Sequence, residues 1–303
     1  MLTRSFDDGL ESLREWREQA IRLLADIRRW ATVNHLTDDI VAARVAYLER
    51  RLAVEKLTIA FVAEYSRGKS ELINALFFGD QGLRLLPSGA GRTTMCPTEI
   101  LYDRSRPPAI RLLPIETRAS PMALREHLAV LDTWREIALD PGNADQLHDA
   151  FAMLADTIDM TVQEAATLGL GPDLPVDARG LVAVPRWRYA VANFPHPLLE
   201  RGLVILDTPG LNALGTEPEL TMNRIPDADA IVFMLGVDTG VTATDLAIWT
   251  EHIAPIDSQR HTRFVVLNKI DGLRDDLKSE NDVLNELDKQ VRSTAEVLGI
   301  EPI

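Results

Sequence analysis

Cysteine is nearly absent: the 303 residues contain only Cys96. No intrachain disulfide can form, which excludes a disulfide-stapled secreted scaffold and fits a reducing, cytoplasmic setting. Long apolar runs are missing as well. No stretch approaches the ~18 uncharged apolar residues of a membrane-spanning helix. The opening Met1–Leu13 carries acids early and lacks the apolar core of a signal peptide. Positive charge is in deficit, with 32 Lys and Arg against 46 Asp and Glu, a net charge of −14. That balance argues against broad adhesion to nucleic acid or anionic lipid. Six histidines, at 35, 127, 148, 196, 252 and 261, show no metal-ligand spacing. There is no internal repeat and no low-complexity tract. What remains is a chain with 46% hydrophobic and 26% charged residues, the balance of a globular protein.

The first 56 residues hold ten basic and ten acidic side chains, so this segment is electrically neutral. Leu13, Trp16, Ala20, Leu23, Ile27 and Trp30 recur every three or four positions and predict an amphipathic helix over 10–31. Asn34–Asp39 breaks the pattern. Thr37 is placed to cap a second helix, with Asp38 and Asp39 in its first turn and Val41, Val45, Leu48 and Leu52 on one face. Two helices alone cannot hide both apolar stripes, so they pack on the rest of the chain or act as a stalk or hinge.

From Leu57 the texture changes. Leu57–Val62 is a short apolar run, followed by a loop and the helical stretch Glu71–Phe78. Further strands are predicted at Glu99–Tyr102, Ala109–Leu113, Trp187–Val191, Leu203–Leu206, Ala230–Leu235 and Phe264–Leu267. The last three are continuously apolar, as strands buried on both faces of a parallel sheet are. Helical patterns at Thr242–His252 and Ser279–Leu298 fall between or after them. The alternation predicts an α/β doubly wound sheet over 57–303, preceded by the helical segment 1–56. Residues about 120–170 interrupt the rhythm with two helical patterns, Leu124, Leu128, Leu131, Trp134 and then Leu147, Phe151, Leu154, Ile158, Val162. They read as a helical insertion.

Four motifs carry chemistry. Ala63-Glu64-Tyr65-Ser66-Arg67-Gly68-Lys69-Ser70 follows a strand and opens a helix that begins at Glu71. That is the setting of a phosphate-binding P-loop, although Ala63 stands where its first glycine is usual. Backbone N–H groups would curl around the β-phosphate, Lys69 would reach the β- and γ-phosphates, and the Ser70 hydroxyl would ligate Mg²⁺. Asp207-Thr208-Pro209-Gly210 closes an apolar strand. Asp207 would hold Mg²⁺ through a water, and Gly210 would offer its N–H to the γ-phosphate. Asn268-Lys269-Ile270-Asp271 closes another. Asp271 would accept from N1–H and the 2-amino group of guanine, Lys269 would lay its stem along the base, and Asn268 would tie this loop to the P-loop. Adenine lacks both donors, so the motif selects GTP over ATP. Last, Thr93-Thr94 lies between the P-loop and Asp207, where a switch belongs. Thr94, three residues before Pro97, is favoured to complete the Mg²⁺ shell and orient the attacking water.

On these motifs, with Glu71-Leu72-Ile73-Asn74-Ala75-Leu76 and Arg92–Glu99, residues 57–303 resemble the bacterial dynamin-like GTPases. Residues 1–56 stand in the place of that family's neck-like bundle. The resemblance implies GTP hydrolysis with Mg²⁺ and pairing of two G domains across the nucleotide. It also implies conformational change, and a peripheral membrane or protein partner reached through further C-terminal chain. Ser66 would help neutralise charge between the β- and γ-phosphates, and Thr94 would position the water. Dynamins proper carry glutamine where this chain has Tyr65. Leu211 follows Gly210 in place of the glutamine with which Ras-like enzymes orient water. Arg67 and Arg92 are open between charge stabilisation in cis and solvated loop positions. Cys96 reads as a small apolar filler, and Trp187 and Trp249 as core residues. One helix after Asp271 reaches Gly299, leaving no room for the final strand and helix of a complete G domain, so a fragment of a longer protein is expected. A GTP-dependent scaffold or timer for chromosome or cell-division partners, and a degenerate nucleotide binder with little turnover, stand as alternatives.

Overall fold

Eight strands after residue 56 pair into one sheet. In the computed structural model, residues 2–36, 38–53, 56–79, 82, 84–88, 96–128, 130–171, 174–210, 225–256, 262–274 and 279–302 are described. The chain divides into two units, Met1–Lys56 and Leu57–Ile303.

The first unit is a helical hairpin of α1 (Leu2–Val33) and α2 (Asp39–Ala53). The Asp38 carboxylate accepts from the Val41 amide at 2.7 Å and so satisfies an orphan donor at the start of α2. The expected cap, Thr37, lies outside the described residues. Arg28 on α1 bridges to Glu49 on α2 at 3.1 Å. The expected stripe on α1 faces outward: Trp16, Leu23, Ile27 and Trp30 are all exposed.

The second unit is built on the strands β1 (Leu57–Ala63), β2 (Thr98–Leu101), β3 (Ala109–Pro114), β4 (Arg135–Ala138), β5 (Thr157–Thr161), β6 (Leu181–Pro185), β7 (Trp187–Asn193), β8 (Leu203–Asp207), β9 (Ala230–Gly236) and β10 (Thr262–Asn268). The main sheet has the order β10-β9-β1-β8-β2-β7-β3-β4. All seven predicted strands are present. Strands β10, β9, β1 and β8 are parallel neighbours. The other half makes the sheet a mixed one. There β2 is antiparallel to β8, and β3 is antiparallel to both β7 and β4. Strand β10 is not buried on both faces either. It is the sheet edge, and Phe264 is exposed.

Alternation along each strand sends residues to two cores. On one face Phe61, Ile205, Ala190 and Ile110 pack with Ile73 and Phe77 of α3 (Lys69–Phe77), and with Leu147 and Phe151 of the helix Ala144–Ala152. On the other, Val62, Leu206, Phe233 and Tyr189 pack with Ile248, Trp249 and Leu298. Helices therefore cover both faces, as an α/β architecture requires. The helix predicted at Thr242–His252 is α-helical over Ala243–Ile248 and continues as a π turn, Trp249–Ile253. The last helix, Glu280–Leu298, is capped by Ser279, whose hydroxyl accepts from the Asp282 amide. Trp187 and Trp249 are core residues, with indole N–H groups donating to the carbonyls of Met153 and Leu298.

The insertion at about 120–170 is not purely helical. It holds the four-residue helix Leu124–His127, strand β4, the helix Ala144–Ala152, strand β5 and the helix Val162–Thr167. The series Leu147–Phe151–Leu154–Ile158–Val162, spaced by three or four, is cut at Asp156, whose backbone is extended at φ −62° and ψ 138°. Ile158 instead belongs to β5, which pairs with β6 in a separate two-stranded sheet.

Candidate functional site

The parallel strands β1, β8, β9 and β10 point their C-terminal ends the same way, and the loops beyond them carry the motifs. In doubly wound sheets, ligands bind at those ends. Register brings the loops together. Phe61 of β1 lies across from Asp207 of β8, Ala63 across from Met234 of β9, and Gly236 across from Asn268 of β10.

The loop after β1 has two left-handed residues, Ser66 at φ 64° and Gly68 at φ 82°. Such turns aim successive N–H groups into a concavity that suits anions. At Gly68 the requirement is also steric, because a Cβ there would lie 2.5 Å from the Asn268 side-chain nitrogen. Ser66 holds the same backbone region without glycine's freedom, at a cost of ~1–2 kcal/mol. Ala63 is fully buried at the end of β1, whereas Tyr65 is exposed.

Lys69 and Asp207 meet below this loop. The ammonium donates to Asp207 Oδ1 at 2.6 Å and also to the Thr208 carbonyl. Ser70 Oγ donates to Asp207 Oδ2 at 3.3 Å. The Thr208 hydroxyl donates to the Phe61 carbonyl at 2.7 Å and fixes the start of the Asp207–Gly210 turn. Gly210 passes so close to the P-loop that a Cβ on it would lie 2.8 Å from the Tyr65 nitrogen. A hydroxyl and a carboxylate side by side are hard oxygen donors, a set that fits Mg²⁺ bound together with phosphates.

The loop after β10 joins the same place. Asn268 Nδ2 donates to the Arg67 carbonyl at 2.9 Å, the tie expected from the motif order. Lys269 is left-handed at φ 61°, and its ammonium pairs with Asp238 at 3.1 Å. The hydrogen bond from Lys269 holds the Asp238 carboxyl below its usual range. Asp271 sits in the short helix Ile270–Leu273, is exposed, and its carboxylate has no hydrogen bond among the described residues.

Some expectations fall elsewhere. Thr93, Thr94, Arg92 and Leu211 lie outside the described residues. Glu71 turns to the surface, where Arg84 hydrogen-bonds its carboxylate and lowers its pKa. Arg67 is not a solvated loop arginine, being 5% exposed, and its guanidinium is not free for a phosphate. It donates to Glu64, to Thr239 and, at 2.7 Å, to Asp245. Asp245, Thr239 and Asp238 were not singled out from sequence. The spacing of Thr242 and Asp245, a capping box at a helix start, was the available signal. Cys96 is buried beside Thr98, and burial pushes its thiol up to about 12. Iodoacetamide at about pH 8 is expected to leave Cys96 unmodified in the folded protein and to label it fully in denaturant. Rapid labelling of the folded form would contradict that burial.

Comparison with known proteins gives the site its family. The model of the dynamin family matches residues 59–270, more than half of the chain and all of the loops above except Asp271. The chain belongs to the dynamin family. The match lies within its α/β unit, residues 57–303. The bacterial dynamin-like protein of Nostoc punctiforme is 25% identical over 248 residues, which are 82% of this chain and 29% of that protein. GTPase Der of Shewanella piezotolerans is 38% identical over 77 residues, 23% of this chain and 14% of that protein. Among solved structures, a bacterial dynamin pair described as sensing and tethering membranes aligns over 94% of this chain and 42% of its own. The TM-score is 0.48 and the identity 15%. This dynamin-family chain thus spans less than a third of the length of its Nostoc relative.

Proposed function

We propose that residues 57–303 bind GTP with Mg²⁺, hydrolyse it, and pair with a second copy across the nucleotide face. The observation that carries this reading is the hydrogen bond from Asn268 to the Arg67 carbonyl. It joins a base-reading loop to a phosphate loop, so that one ligand would touch both. The amides of Ala63 to Ser70 cradle the phosphates, and Lys69 neutralises them. Ser70 and Asp207 hold Mg²⁺, with Thr94 as the third contributor. When bound, Mg²⁺ supplies Lewis-acid charge neutralisation at the phosphate oxygens. Gly210, packed against Tyr65, offers its N–H to the γ-phosphate, so that loss of this group releases the segment after it. Asp271 and Lys269 read guanine.

Exposed residues of the loop support the pairing in this reading. Tyr65 and Ser66 stand at the surface of the phosphate loop, and the Arg67 side chain is occupied elsewhere. With leucine at 211, the remaining catalytic help is Thr94, Ser66 and a facing copy. No helix among the described residues is long and apolar enough to cross a membrane. For the whole protein the reading includes a peripheral role at a membrane surface, as the family resemblance implies.

Phosphate release measured against protein concentration tests this reading. Specific activity is expected to rise several-fold as concentration passes through the pairing range. Activity independent of concentration would contradict pairing, and release near zero at all concentrations would favour a binder without turnover.

A further inference from the structure

Arg67 sits where three loops meet, and none of the binding roles above uses its side chain. The guanidinium is buried and reaches acceptors on two parts of the chain: Glu64 in its own loop, and Thr239 and Asp245 after β9. The Thr242 hydroxyl donates to Asp245 Oδ2 at 2.9 Å and to Glu64 Oε2 at 3.3 Å, closing the cluster. The Arg67 carbonyl holds Asn268. Asp238, next to Thr239, holds Lys269 at 3.1 Å. One residue therefore grips the base loop twice, once through its own backbone and once through the 236–242 loop. At Gly236, where that loop begins, a Cβ would lie 3.4 Å from Arg67 Nη1.

We propose that Arg67 is a specificity-positioning residue, which sets the base loop Asn268–Asp271 against the phosphate loop so that guanine selection depends on it. The inference rests on the assignment of both loops to one GTP. A planar fork can serve three acceptors in different directions, which a lysine ammonium on a flexible stem cannot reproduce. The guanidinium cannot leave without stranding the Asp245 carboxylate, which is fully buried. Arg67 therefore acts on ground-state binding of the base and not on charge in the transition state.

The test compares the full chain with Arg67→Lys, measuring Kd for GTP, GDP and ATP by competition and kcat and KM for GTP, each corrected for folded fraction. GTP and GDP are expected to weaken together by about tenfold while ATP changes little, so discrimination falls by about the same factor. The loss should lie in KM far more than in kcat. A role in fold stability alone would lower the active fraction and leave the ATP-to-GTP ratio untouched, which overturns the proposal. So does a fall in kcat with GDP affinity unchanged, the mark of an arginine acting on the phosphates. If Arg67→Lys does not fold, Thr239→Val decides. It keeps both carboxylates paired, and discrimination should fall about threefold; an unchanged ratio refutes the positioning role. A wild-type chain without guanine preference would remove the underlying assignment itself. Guanine preference with an insensitive Arg67 would remove only the present inference.

Discussion

Lys69→Ala is expected to weaken GTP binding on the order of 100-fold, read by calorimetry, because two effects add. The variant loses the cation that, in the proposed reading, would face the phosphates. It also leaves Asp207, which is fully buried, without its 2.6 Å partner. With the Lys69 cation gone, the Asp207 carboxylate would repel the incoming phosphates. Breaking a buried pair in this way costs about 3 kcal/mol of stability. In a unit of this size that is a fall in Tm of roughly 6–12 °C. Titration well below the lowered Tm separates the two effects. GTP affinity within a few fold of wild type would mean that Lys69 serves only as the structural partner of Asp207.

Asp271→Asn is expected to reverse base preference. In the proposed reading the carboxylate would accept two hydrogen bonds from guanine, whereas the amide would accept one and donate one. Its N–H₂ would face the guanine 2-amino group, donor against donor, but would suit the 2-oxo group of xanthine. Mismatched hydrogen-bonding groups are rejected strongly, so GTP should weaken on the order of 100-fold while XTP gains. Asp271 is exposed and its carboxylate has no hydrogen bond among the described residues. The substitution should therefore shift stability by no more than about 0.5 kcal/mol. Tm thus serves as an internal control that Lys69→Ala lacks. Unchanged GTP affinity in a folded Asp271→Asn protein would remove the base-reading role.

Elements with a strong local signal were legible in the chain. Each run such as Ala230–Leu235 is too apolar for anything but a strand buried between helices, and β9 lies inside the sheet. The edge position of β10 was not legible, because Phe264–Leu267 has the same texture as an interior strand. Strands β4 and β5 were hidden for the opposite reason. Only Ile137 in β4, and Ile158 and Met160 in β5, turn inward, and Ile158 falls by coincidence four residues after Leu154. A short strand beside a short helix can imitate a longer helix when its few apolar residues keep the i, i+4 spacing. In the site, the contact of Asn268 with the P-loop could be expected because each motif follows a strand in the order that such sheets use. The fate of Arg67 could not. Its three partners come from residues 64, 239 and 245, and only tertiary structure brings the last two beside the first. A loop arginine next to Gly68 and Lys69 reads as a phosphate ligand until its acceptors are known.

In the proposed function a single guanine nucleotide bridges two loops whose hydrogen-bonded residues, Arg67 and Asn268, stand 201 positions apart in the chain, with its phosphates at Lys69 and its base at Asp271. Calorimetric titration of the chain with GTP, GDP and ATP in the presence of Mg²⁺ tests it most directly. The expected result is one site that takes GTP and GDP, with no measurable heat from ATP at the same concentrations. Equal binding of ATP and GTP, or no binding of either guanine nucleotide to the folded chain, would contradict it.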